Sequence, residues 1–113
     1  SQASGDYLGL SLTYPVRPGA KTLEVEARLT NGNIAGLEAV SLSLSGPVGW
    51  RVRATGETSA RRLAPRQGLT AVFSLQARQA PGPSGLATLR AQYRIKDGRA
   101  MLSRPIAVHP LGR

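Results

Sequence analysis

The sequence predicts an all-β protein: a two-sheet antiparallel sandwich of about seven strands with no helix beyond a turn. Three observations predict it. In run after run, apolar residues recur at every second position, the period of a strand with one buried face. Clusters of Pro, Gly and Asn separate the runs, where the backbone needs fixed or positive φ to reverse. Nowhere do apolar residues hold i, i+3, i+4 spacing across a helix-length window. Short strands with one inward face each are stable when two sheets close on one another.

The elements follow in chain order. Leu8, Leu10 and Leu12 set up a first strand. In "TLEVEARLT", Leu23, Val25, Ala27 and Leu29 alternate with Glu24, Glu26 and Arg28, so apolar and charged faces separate. "VSLSLS" places Val40, Leu42 and Leu44 on one face and three serines on the other. "LTAVFSLQA" aligns Leu69, Ala71, Phe73, Leu75 and Ala77, and "LATLRAQYRIK" aligns Ala87, Leu89, Ala91, Tyr93 and Ile95. "MLSRPIAVH" is the last strand, and Pro105, which cannot donate to a ladder, marks it as an edge or a bulge. Turns are expected in "PVRPGA", "NGNIAG", "SGPVG", "APRQG" and "APGPSG", and an Asp-Gly hairpin in "KDGR". Trp50, the only tryptophan, follows the "SGPVG" turn, where Gly49 gives the backbone freedom to bring the indole down onto the core. It is read as a plug at one end of the core, with its N–H on a backbone carbonyl.

The 113 residues suit one domain, 1–113, with the polar residues 1–6 read as a tail. The start "SQASGDY" lacks the charged and apolar regions of a signal peptide and reads as a mature or excised fragment. There is no Cys, which excludes disulfides and thiolate metal sites, and no apolar stretch near the ~20 residues of a membrane span. Fifteen Lys and Arg against six Asp and Glu give a net charge of +9, almost all from arginine, since only Lys21 and Lys96 are lysines. The arginines are scattered along the chain. Arg90, Arg94 and Lys96 share one face of a strand, and Arg28 and Arg78 are candidate neighbours, so these five form the candidate contact surface for an anion or a partner. No aromatic joins that face by the alternation, so nucleic acid is not expected as a partner.

Signals for chemistry are absent. A glycosidase needs two carboxylates at a set separation, one with a raised pKa. Here Asp6 is terminal, Asp97 belongs to a turn, and Glu24 and Glu26 form a solvated row that can pair with arginines of a neighbouring strand. His109, the only histidine, follows the last strand with no Cys, Asp or Glu at ligand spacing, so neither metal nor cofactor is expected. No serine sits in a Gly-x-Ser-x-Gly elbow. The chain is read as non-catalytic.

"LTNGNIAGLEAVSLSLSGPVGWRV" resembles the central signature of the NPCBM-associated domain, an immunoglobulin-like accessory domain found beside the catalytic domains of bacterial α-galactosidases, sialidases and related glycosidases. The matching positions are Thr30, Asn31, Gly32, Val40 to Leu44, Pro47, Gly49 and Trp50. "PVRPGAKTLEVEARLTN" and "LAPRQGLTAVFSLQARQAPGPSGLATLRAQYRIKDG" are similar to the family's opening and closing halves, so the likeness spans roughly Leu10 to Val108. Pro65-Arg66-Gln67-Gly68 departs from the family's Pro-Gly, and the basic charge is also unusual for it, which leaves CARDB-like and adaptor-appendage-like sandwiches open. The resemblance implies an immunoglobulin-like fold and carries no catalytic or ligand residue. It implies a spacer or packing module of a larger extracellular or cell-surface bacterial protein, with neighbouring domains of the same polypeptide as partners. The alternative is a module that binds a protein or an anionic polysaccharide through its arginine-bearing face or a strand edge.

Overall fold

A computed structural model of the chain describes residues 4–7, 9–96 and 98–109. These residues form ten strands and no helix: β1 (Ser4–Tyr7), β2 (Leu10–Thr13), β3 (Val16–Pro18), β4 (Thr22–Asn31), β5 (Leu37–Ser45), β6 (Trp50–Thr55), β7 (Ser59–Leu63), β8 (Gly68–Ala77), β9 (Gly85–Ile95) and β10 (Gly98–Val108). One sheet has six strands in the order β1-β2-β4-β8-β6, with β3 also paired to β4; the other has four in the order β10-β9-β5-β7. β2 and β3 lie along the same side of β4, Leu12 opposite Leu29 and Val16 opposite Val25. They amount to one edge interrupted at Tyr14 and Pro15.

The alternation places the core as expected. Leu12, Val25, Leu29, Phe73 and Leu75 fill the inner face of the six-stranded sheet, and Leu42, Leu89, Ala91, Tyr93, Leu102 and Ile106 fill that of the four-stranded one. Burial of each large aliphatic side chain contributes about 1.5–3 kcal/mol. Tyr14, the next alternate position after Leu10 and Leu12, is buried with them. Pro105 stands in β10, an edge strand, where its missing N–H leaves no ladder partner unmet.

Ten strands replace the expected seven or so because four of them carry no usable alternation. β1 reads Ser-Gly-Asp-Tyr, and β3 lies within the proline-rich stretch read as a turn. β6 and β7 are arginine-rich edge strands whose buried residues are few, Trp50 in one and Leu63 in the other. Residues 4–6, read as part of a tail, lie in β1, whose backbone covers what would otherwise be the free edge of β2. Residues 1–3 lie outside the described residues. The hairpin between β9 and β10 also differs by one residue. Ile95 pairs with Gly98, so the connection is 96–97 and Lys96 takes a positive φ of 55°; Asp97 itself lies outside the described residues.

Two local features hold β5 in register. Leu37 and Val40 are both buried although they are three residues apart, because Ala39 turns through φ 51° and adds one residue to β5 where it faces β9. This bulge resets the alternation so that Val40, Leu42 and Leu44 continue the inner face. At the same end Asn31, the one polar side chain buried among the described residues, ties three segments together. Its Nδ2 donates to the carbonyls of Ala35 (2.9 Å) and Leu63 (3.0 Å), and its Oδ1 accepts from the N–H of Asn33 (2.9 Å). Its own backbone N–H and C=O bond to Gln67 and Arg66 in the β7–β8 turn. Every polar atom of this amide is therefore used, which is what a buried polar group requires.

Asn31→Ala leaves two carbonyls unmet and is expected to cost about 3 kcal/mol. Asn31→Asp sets an acceptor against those carbonyls and is expected to cost more at neutral pH; urea denaturation measures both. Ala39→Gly relieves a left-handed L-residue and is expected to stabilise by about 0.5–1 kcal/mol, while the branched Ala39→Val destabilises. Thermal unfolding of the two variants checks the sign.

Candidate functional site

The tryptophan end and the arginine-bearing face are the two places that invite a functional reading. At the first, Gly49 (φ 93°) turns the chain into β6 and directs Trp50 inward. The indole is 4% exposed, and its Nε1 donates to the carbonyl of Pro83 at 2.8 Å. Gly82 lies flat against it, since a Cβ there would sit 2.5 Å from the indole Cζ2. The backbone N–H of Arg78 closes the end by donating to the Gly49 carbonyl at 2.8 Å. A 580 Å³ depression beside it is lined by Ala20, Lys21, Gln76, Ala77 and Pro81. With its ring buried, Trp50 offers no stacking face to a sugar, and its place is that of a core plug.

Charge is distributed very unequally between the two sheets. The strands of the four-stranded sheet carry six arginines and one glutamate, a net +5. Those of the six-stranded sheet carry four arginines and three acids, a net +1. On the latter, Glu26 pairs with Arg17 of neighbouring β3 at 2.9 Å, and Glu24 is exposed, as expected of a solvated acidic row. On the former, Arg94 pairs across strands with Glu38 at 3.0 Å. Both ion pairs are exposed, so each contributes on the order of 0.2–1 kcal/mol.

The five predicted contact residues do not form one surface. Arg90 and Arg94 point outward from β9, Arg90 donating to the Ser45 hydroxyl at 3.3 Å, and Lys96 is exposed in the turn that follows. Arg28, in contrast, stands on β4 in the other sheet, where its guanidinium lies over Gly68 and donates to the Thr70 hydroxyl at 2.8 Å. Arg78 is exposed beyond β8, at the tryptophan end. Sequence reading placed them beside Arg90 and Arg94 because alternation assigns a face within a strand but not the sheet to which the strand belongs. The neighbours that Arg94 does have are Arg99 on β10 and, through Glu38, Arg62 on β7. Arg99 was legible in principle, since a two-residue connection at 96–97 sets it opposite Arg94. Arg62 was not, because β7 has too few apolar residues to be seen as a strand.

Among the described residues, no three His, Cys, Asp or Glu side chains lie close enough to hold a metal ion. His109 is exposed after β10, away from any such grouping. No helix of the described residues is long and apolar enough to cross a membrane.

A closed interior, an outer surface of serines, threonines and arginines, and two antiparallel sheets define an immunoglobulin-like β-sandwich module. The chain belongs to the NPCBM-associated family, the NEW3 domain of alpha-galactosidase, whose family model matches residues 16–95. That family is one of accessory domains associated with alpha-galactosidase. The fold of the chain is similar to that of the GAE domain of GGA2p from Saccharomyces cerevisiae, with a TM-score of 0.77 at 10% identity, covering 98% of this chain and 100% of that one. The yeast GGA1 GAE domain is similar at a TM-score of 0.75 and 13% identity, covering 96% of this chain and 99% of that one. At such identities the likeness is one of fold. No curated protein matches the chain.

Trp50→Ala is expected to cost about 3–5 kcal/mol in chemical denaturation. Trp50→Phe keeps most of the plug and loses the bond to Pro83, so about 1–2 kcal/mol is expected. An Ala variant that melts with the parent protein contradicts this placement.

Proposed function

We propose that this domain is a non-catalytic spacer in a larger bacterial extracellular or cell-surface protein, where it sets the position of a neighbouring carbohydrate-active domain. The family match over residues 16–95 is the observation that carries this reading. The architecture agrees with it. The interior is filled by the domain's own side chains, and the described chain opens on an edge strand of one sheet and closes on an edge strand of the other. A stiff sandwich joined at two edges transmits position between neighbours by rigidity alone, with no chemistry of its own.

The test has two parts. The isolated 113-residue domain is expected to give no turnover on nitrophenyl glycosides, and activity that persists through repurification refutes the reading. In the parent polypeptide, deletion of the domain is expected to lower the melting temperature or the activity of the adjacent hydrolase. A hydrolase that is indifferent on both counts refutes the spacer role.

The charge asymmetry favours a second reading, in which the outer face of the four-stranded sheet binds an anionic partner. Salt-dependent retention on heparin, abolished by Arg90→Glu with Arg94→Glu, is its expected signature.

A further inference from the structure

The outer face of the four-stranded sheet carries a line of charge at right angles to its strands. Arg99, Arg94, Glu38 and Arg62 are successive cross-strand partners on β10, β9, β5 and β7. Three strand spacings separate the ends of this line by about 14 Å. Glu38 holds Arg94 at the centre. Arg99 at one end, and Arg62 with exposed Arg61 at the other, make no ion pair among the described residues. A depression of 440 Å³ borders the line on the Arg99 side and one of 660 Å³ on the Arg62 side, and both reach Ala39 and Arg94. The β5 bulge therefore lies at the middle of a shallow trough that runs across the sheet.

We propose that this trough binds a linear polysaccharide bearing carboxylates, of the polyuronate class, laid across the strands. The inference rests on the second reading above and specifies its ligand. Planar guanidinium forks match carboxylates in pairs, and the unpaired ones stand at the two ends of the line. Between them Glu38 accepts hydrogen bonds from ring hydroxyls, which a sugar chain offers between its charged groups and a densely charged polymer does not. Gln92, with Ser41 beside it, adds polar partners on the floor. A peptide recognised by strand addition needs an open sheet edge. Here β9 and β5 are paired on both sides, so the middle of the trough offers no free ladder. A neutral glycan lacks a platform, because the aromatic at this trough, Tyr93, is buried.

Titration of the full chain with polygalacturonate, using neutral dextran, heparin and poly-glutamate as parallel probes, tests the proposal. Polygalacturonate is expected to bind in a salt-dependent manner and dextran not to bind. Arg99→Gln with Arg62→Gln is expected to weaken binding about tenfold without changing the melting temperature. Arg28→Gln with Arg53→Gln, on the other sheet, is expected to change it less than about twofold. Equal losses from the two pairs would mean diffuse attraction and overturn the proposal, as would tighter binding of poly-glutamate. Retention on heparin through Arg90 and Arg94 without binding of polygalacturonate overturns it while the second reading stands. Binding of neither polymer removes both.

Discussion

Two sheets with one apolar face each have a single way to leave water, which is to close on one another. Everything else in this domain is subordinate to that closure. Leu12, Leu29 and Leu75 on one side meet the layer of Leu42, Leu89 and Ala91 on the other, and no polar group can enter the space between without a full set of partners. Asn31 meets that condition by bonding Asn33 and Ala35 of the loop after β4 and Leu63 of β7, so a side chain that would otherwise weaken the core instead locks the chain at one end. Trp50 does the equivalent at the other end, with one N–H and one carbonyl.

The same closure explains why the functional reading moves to the outside. The core is filled by its own side chains, and the depressions described above open onto the four-stranded sheet and the tryptophan end. What distinguishes the outer faces is charge. The strands of the six-stranded sheet set three acids, Asp6, Glu24 and Glu26, against four arginines, whereas those of the four-stranded sheet have Glu38 alone for six. Strand pairing then converts this excess into geometry, because residues far apart in sequence become neighbours about 4.8 Å apart across the ladder.

The bulge at Ala39 links core and surface. It is needed internally, since Leu37 and Val40 cannot both face inward on a regular strand. Its outward consequence is that Glu38 falls opposite both Arg62 and Arg94, placing an acid at the centre of a basic line. A packing requirement of the interior thus determines the charge pattern offered to solvent.

Alternation in β4, β5, β8, β9 and β10 by itself determined that the chain is all-β, which residues face inward, and where Trp50 sits, because a two-residue period and a turn are local properties of the backbone. It did not reveal β7, whose Ser-Ala-Arg-Arg-Leu has one buried residue, nor β3 with its proline. These are edge strands, held by a neighbour's free hydrogen bonds rather than by a hydrophobic face of their own. The grouping of the arginines was likewise beyond reach of the sequence. Which sheet a strand joins is settled by long-range pairing, and so the tertiary structure alone decided that Arg94 lies with Arg99 and Arg62 rather than with Arg28 and Arg78.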